Sequence, residues 1–591
     1  MKVFQSKYIL WLCYVVILWT SFFYYPKWKK DRTEATISWD VSGYYWYLPA
    51  YFIYNDLKKQ DFKDDILKKY HPTPELQQSY LHSSGNYINK YSLGLSIHYF
   101  PGFIIADVIA RNSEHHLRDG FSTPYQLSVQ ITGILFCLIG LWFLRKILLV
   151  YFPDNVVSLT LICLILGSNY LNFSAIDTAM SHNFLFTWYA ILIYLSIRYY
   201  NDRGIAKAIG IGGVIGIMTL SRPTELISVI IPLLWGISIL NKSAIYSRVG
   251  WIIKYAQDYI IAILTGFTII SLQLIYWKYI GGDWIIYSYE DQGFSWFSPH
   301  VKNYLLSFRC GWLIYTPIML LCIIGAIQLR KRPELSITVL YAIVFLYIVM
   351  AWDIWWYGGR AMVQSYPILC FLMASAISYM LKANILRYIL LTFITICIYY
   401  NVWWTHQIHR GGLVSAYDMT QAYYMKVVGR WSAPDNYKKL YDTDELYTAE
   451  LIDSSLIYEN DFDNKKDLYA RDTIGVNYAE WLDENRLQSE EYFFTIDSDT
   501  EWIRVSALIK SWIKEWDKWK MARMKIQLYR ENMVIKERNI RLHRFINNHE
   551  KKRIYMDFNL DNLAIDSIGI SYDHNSDKKI LIDEMQVYSI R

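Results

Sequence analysis

Residues 122–150 read STPYQLSVQITGILFCLIGLWFLRKILLV. No ionisable side chain other than Tyr125 and Cys137 interrupts them before Arg145 and Lys146. About 20 apolar residues in helical form cross the hydrocarbon of a bilayer. Comparable runs recur near 8–25, 155–176, 181–200, 208–221, 223–240, 259–280, 311–329, 335–352, 366–381 and 386–404. Together they predict a membrane α-helical bundle of about 11 spans. The run 95–110 is shorter and carries His98, Pro101 and Asp107, so it reads as re-entrant or interfacial.

Composition agrees with this reading. Of 591 residues, 54% are hydrophobic and only 19% charged, against roughly a quarter charged in soluble proteins. A soluble enzyme, a disordered chain and a nucleic-acid binder are excluded on that basis. Charge also divides the chain. Residues 405–591 hold 32 acidic and 27 basic side chains, a net of −5, which leaves +11 on residues 1–404. The predicted organisation is a polytopic body over 1–404 with a long first loop at 26–121. A connector over 405–445 and a soluble domain over 446–591 follow. Lys2 and Lys7 precede the first apolar run, and no small-residue cleavage site follows it, so it reads as an uncleaved span. All seven cysteines lie in or beside apolar runs without metal-ligand spacing, which predicts buried small hydrophobes.

Lys and Arg gather in alternate loops: Arg145–Lys146, then Arg198, Arg203 and Lys207, then Lys242, Arg248 and Lys254, then Arg330–Lys331–Arg332, then Lys382 and Arg387. The positive-inside rule puts these loops in the cytoplasm and the intervening ones, with the C-terminal domain, on the extracytoplasmic side. Lys27, Lys29, Lys30 and Arg32 run against that pattern at the start of the first outer loop.

The C-terminal region changes period. Arg523–Arg530 alternates Met524, Ile526 and Leu528 with polar residues. Arg553–Leu560 and Lys579–Ile590 do the same, with turn-forming residues between. That pattern predicts a mainly-β sandwich. Trp512–Trp519, with clustered Trp and Lys, could instead be a short helix.

Several ionisable residues fall at one end of the predicted spans: Asp40 in the first outer loop, Asp177 and His182 at the second, Arg222 between two half-length apolar runs, and Asp353 and Arg360 at another. Charges at membrane depth are costly, about 3 kcal/mol or more at the centre, so their collection at one surface suggests a pocket there. A carboxylate can take the proton of an attacking hydroxyl, and an arginine can fork onto phosphate oxygens.

These segments carry a resemblance. Ser38-Trp-Asp-Val-Ser-Gly-Tyr-Tyr, Asn89-Lys-Tyr-Ser-Leu-Gly, Met180-Ser-His, Leu220-Ser-Arg-Pro-Thr, Gly311-Trp-Leu-Ile-Tyr-Thr-Pro and Trp355-Trp-Tyr-Gly-Gly-Arg stand in an order that resembles the GT-C class of polyprenol-dependent membrane glycosyltransferases. Within that class the segments resemble those of relatives of protein O-mannosyltransferases and lipid A aminoarabinose transferases. Ser92 stands where the family pattern has proline. The resemblance implies inverting transfer from a polyprenyl-phosphate sugar to a glycan, lipid or protein acceptor. It implies Asp40 as general base and Arg222 and Arg360 as donor-phosphate ligands, with Lys90 and Tyr91 of the altered Lys-Tyr-Ser-Leu-Gly segment beside them; by position alone Asp177, His182 and Asp353 are supporting candidates that could equally be polar or helix caps, and headgroup anchoring could explain Lys90 and Arg360. It implies a multi-pass protein of a bacterial inner membrane, surrounded by membrane lipid. No metal or other cofactor is expected, and the β domain resembles carbohydrate-binding modules.

Competing readings use the same residues. Asp40 could cap a helix. Arg222 could pair with Glu225 three residues on. Asp497-Ser-Asp499 reads as a turn. The whole chain could instead be a transporter or flippase of a lipid-linked glycan, or a non-enzymatic scaffold displaying a glycan-binding domain.

Overall fold

The computed structural model describes residues 5–290, 292–352, 357–415, 418–449, 454–463, 469–471, 478–496, 499–515, 517–561 and 563–591. Its contacts divide the chain into two units, Met1–Arg410 and Gly411–Arg591.

The first unit is helical. Six helices among the described residues are long and apolar enough to cross a membrane: Ser6–Lys29, Thr123–Leu149, Ala256–Gly281, Pro333–Ala351, Gly358–Met380 and Asn384–Gly411. The other apolar runs are helical too, but shorter, broken or more polar. Asp154–Gly167 stops at the extended Ser168 before the short helix Tyr170–Ala175. Pro317 follows Thr316, whose backbone leaves the helical region, so 311–329 folds as separate pieces. Arg222 is extended, and Pro223–Val229 continues as a 3-10 turn before Ile230–Leu234. Ser181–Asn201 is a single helix of 21 residues that opens on Ser181, His182 and Asn183. The ambiguous run 95–110 forms one helix, Gly94–Arg111, containing Pro101. Its Asp107 accepts from Arg118 at 2.9 Å and Tyr125 at 2.9 Å and pairs with Arg111 at 2.6 Å.

Small residues let two helices meet backbone to backbone. A Cβ on Gly216 of Ile205–Ser221 would lie 2.9 Å from Gly266 Cα in Ala256–Gly281, and one on Gly212 would lie 2.7 Å from the Ala262 carbonyl carbon. This is the close crossing that small-residue repeats provide where no hydrophobic effect drives helices together. All seven cysteines are free and buried.

The second unit holds two antiparallel sheets. In one, the strands run Glu550–Asn559, Trp502–Ser511, Ile580–Ile590, Tyr478–Leu482, Tyr469–Arg471, with Ser454–Asn460 also paired to Ile580–Ile590. In the other, the order is Tyr492–Phe494, Ser567–Asp573, Arg523–Arg530, Met533–Arg541. Alternate residues of both sheets, such as Val505 and Ile509 from the first and Met524, Ile526 and Ile570 from the second, enter one apolar core. The period-two pattern at 523–530 produces this directly, because successive strand side chains face opposite ways. Trp512–Trp519 is not helical among its described residues. Lys514 N–H is taken by Asn548 at 2.7 Å and Asp517 N–H by Glu515 at 2.9 Å, so side chains capture the donors a helix would use.

The stretch predicted as a connector belongs to both units. The last apolar helix continues past 404 to Gly411, where the second unit begins, and the described residues that follow group with the β strands. Asp442 accepts from Arg544 Nε at 2.9 Å and pairs with Arg541, and Glu445 pairs with Lys536 at 2.7 Å. Asp497 and Ser498 lie outside the described residues; Asp499 pairs with Arg591 at 3.0 Å.

Candidate active site

Asp40 is the second residue of the helix Trp39–Tyr45, which begins after Ser38. Its carboxylate does not cap that helix. Oδ1 accepts from the Tyr91 hydroxyl at 2.8 Å and Oδ2 from Arg360 Nη2 at 2.9 Å. Both members of the ion pair stay about one-fifth exposed, so the carboxylate is anchored yet open. The residue before it, Trp39, sits at φ 47°, a left-handed conformation that costs about 1–3 kcal/mol and recurs at functional sites.

Two glycines shape this pair. Gly43 lies one turn along the helix from Asp40, and a Cβ there would come to 2.5 Å from Tyr91 Cε2. Its bare backbone lets the Tyr91 ring lie against the helix with the hydroxyl at Asp40. The ring also meets Tyr44 edge-on, with centroids 4.7 Å apart. Gly358 and Gly359 take φ 60° and 61° in succession, and a Cβ on Gly359 would lie 2.6 Å from Trp312 Cβ. The Gly358 carbonyl is held by Asn169 Nδ2 at 2.7 Å. This left-handed turn, open only to glycine at such close quarters, directs Arg360 back to Asp40 across 320 residues of sequence.

Arg222 follows the helix Ile205–Ser221 in extended conformation. It does not pair with Glu225. Glu225 is fully buried and accepts from the Tyr189 hydroxyl and from Gln364 Nε2 instead. The Gln364 amide is thereby oriented with its oxygen toward His182 Nδ1, at 2.7 Å. His182 Nδ1 must then carry the proton, so it cannot also accept from Arg222 Nη1, 3.4 Å away. Arg222 has no carboxylate partner among the described residues.

Tyr289 shows how closely these groups converge. Burial pushes its hydroxyl above its ordinary pKa, and the charges that act on it are Arg222, Asp40 and Arg360. Burial first, and then Asp40, likewise hold the Tyr91 hydroxyl well up, so it stays a neutral donor. Lys90 Nζ lies 5.8 Å from the Tyr289 ring centre, with no carboxylate partner among the described residues. Asp40 is thus paired with Arg360, while Arg222 and Lys90 lie around Tyr289 without a carboxylate partner among the described residues, and such an excess of cations favours an anionic ligand.

The remaining sequence candidates separate from this cluster. Asp177 pairs with Lys27 and accepts from Asn172 Nδ2 at 2.9 Å. Burial pushes its carboxyl up, but Lys27 and His409 more than offset that and hold it below the ordinary range. Asp353 lies outside the described residues. Gln364, Tyr289 and Tyr189 join the site without having been singled out in the sequence. A carboxylate inside an apolar run, Glu225, was the signal that a polar network lay there.

Arg222, Lys90 and Arg360 are the cations that could hold a phosphorylated ligand near the Asp40 carboxylate, which Tyr91 and Arg360 anchor. No family model matches the chain, and no curated protein sequence matches it.

Proposed function

We propose that the protein is an integral membrane glycosyltransferase that moves a sugar from a polyprenyl-phosphate donor to a hydroxyl- or amine-bearing acceptor, with inversion. The observation that carries this reading is the partly exposed Asp40 carboxylate, held by Tyr91 and Arg360, with the carboxylate-free Arg222 acting on the same Tyr289 hydroxyl. Each Asp40 oxygen keeps a lone pair beyond its one bond, so an acceptor O–H can donate to it. In the step proposed, the acceptor oxygen forms a bond to the anomeric carbon as its proton passes to Asp40. The bond from that carbon to the phosphate oxygen breaks with its electron pair. Arg222, with Lys90, neutralises the departing prenyl phosphate, and Arg360 keeps Asp40 oriented toward the acceptor. Attack from the face opposite the phosphate inverts the anomeric centre.

In this reading the broken helices complete about 11 spans, the two sheets form a sandwich that grips acceptor glycan, and both it and the site face the extracytoplasmic side of a bacterial inner membrane. The test is a panel of radiolabelled polyprenyl-phosphate sugars offered to purified protein with mixed acceptors. Release of prenyl phosphate with label in a new glycoside of opposite configuration is expected. Neither binding nor consumption of any donor would sink the proposal.

A further inference from the structure

The basic cluster after the first apolar helix, which runs against the charge pattern of the loops, lines a cavity of its own. This cavity of about 320 Å³ lies where the helices Ser6–Lys29 and Asn384–Gly411 end together, and Tyr24, Tyr25, Lys29, Lys30, His409 and Arg410 are among its walls. It is distinct from the Asp40 cluster, with which it shares no lining residue.

Its walls are fixed. The Tyr24 hydroxyl bonds His406 Nδ1 at 2.8 Å, tying the two helix ends together. The Tyr25 ring packs on His409 with centroids 4.7 Å apart, and its hydroxyl donates to Glu34 at 2.6 Å. His409 Nε2 bonds Asn172 Oδ1 at 2.6 Å; Asn172 in turn holds Asp177, which pairs with Lys27. Lys27 is thus consumed by a structural pair. Lys29, Lys30 and Arg410 are not. None has a carboxylate partner among the described residues, and all three are exposed. Arg410 lies 4.5 Å from the Tyr24 ring centre and Lys30 5.0 Å from that of Tyr25, so aromatic faces hold the cations beside the cavity.

The two helices that end at the cavity expose apolar side chains along their length. Trp11, Val15, Trp19 and Phe23 of the first helix are more than half exposed, as are Ile396 and Tyr399 of the last. An apolar stripe that ends in three uncompensated cations and two tyrosines matches one ligand chemistry, a phosphate headgroup on acyl or prenyl chains.

We propose that this cavity binds the phosphate headgroup of an anionic membrane lipid, with Lys29, Lys30 and Arg410 as its ligands and the flanking stripe against its chains. The site is independent of the transfer reaction proposed above. Near an anionic surface each Lys or Arg contributes about fivefold in affinity, so replacing all three is expected to cost roughly 100-fold.

The experiment compares full-length protein with the Lys29→Gln/Lys30→Gln/Arg410→Gln variant in nanodiscs of phosphatidylcholine doped with labelled phosphatidylglycerol, and counts lipid retained after detergent exchange. A Lys29→Arg/Lys30→Arg variant, which keeps the charges, controls for folding. Phosphatidylglycerol retained by wild type and the Arg variant, lost from the triple Gln variant and not displaced by millimolar inorganic phosphate supports the proposal. Equal retention by wild type and the triple Gln variant overturns the site. Complete displacement by inorganic phosphate overturns the lipid assignment, since a free phosphate would then satisfy it.

Discussion

Replacing Gly43 by alanine tests whether the Tyr91–Asp40 contact governs the carboxylate. The new methyl would stand 2.5 Å from Tyr91 Cε2, where ordinary carbon contacts begin near 3.5 Å. The ring must retreat by about 1 Å. The hydroxyl-to-Asp40 distance, now 2.8 Å, would then pass the limit of a hydrogen bond. A hydrogen bond to a charged group is worth about 1.5–3 kcal/mol. If Tyr91 holds Asp40 for proton transfer, kcat should fall about 10- to 100-fold while the donor KM changes little. Tyr91→Phe removes the hydroxyl without moving the ring and should give a loss of the same order. The combined variant should lose no more than the worse single one, because both changes delete one contact. Turnover of labelled donor by the three purified variants, with thermal unfolding measured alongside, provides the assay. Losses that multiply in the combined variant, or wild-type turnover in both single ones, would refute the reasoning.

Three further outcomes are expected. Arg222→Gln should weaken binding of polyprenyl phosphate about 10- to 100-fold in a direct binding assay, whereas Glu225→Gln, at a carboxylate Arg222 does not contact, should leave it within a few-fold. Gly216→Leu should lower stability by about 1–3 kcal/mol, read as a lower unfolding temperature in detergent, because Gly266 Cα already stands 2.9 Å from the added Cβ; Gly250→Ala, with open space around it, should not. In the second unit, burial, and then the neighbouring His574, push the His543 imidazolium down to about 4. The unfolded chain takes up this proton near pH 6.5 and the folded one only near 4, so stability should fall across that window as pH is lowered, by up to about 3 kcal/mol. Amide exchange of strand Arg523–Arg530, corrected for intrinsic rate, should speed up from pH 7 to pH 5, and His543→Leu should flatten that change.

The apolar runs of the first unit and the alternating strands at 523–530 and 580–590 were legible because burial imposes its period on the sequence. Interruptions were harder to read. Hydropathy averages over Gly167-Ser168 and Thr316-Pro317, where the backbone actually turns. Arg222 and Glu225 are three apart, the spacing of a helical pair, but Arg222 is extended and lies outside the 3-10 turn that carries Glu225. Glu225 finds Tyr189 and Gln364 instead. No local pattern records that Arg360 reaches Asp40, since the contact spans 320 positions and depends on two left-handed glycines. Gln364 had no signal of its own, because an amide beside an apolar run is common and its role comes only from the partners the fold delivers. The basic residues 27–32 stand out as an exception to the loop charges; the structure places Lys27 in an ion pair with Asp177 and Lys29 and Lys30 in the wall of a cavity.

The most direct measurement is turnover of the labelled polyprenyl-phosphate sugar panel by wild type and Asp40→Asn. Asparagine keeps the side chain's shape and removes its capacity to take a proton, so turnover should fall about 100-fold or more with donor binding intact. Equal turnover by the two proteins would contradict Asp40 as the base. A wild-type protein that neither binds nor consumes any donor would contradict the transferase itself.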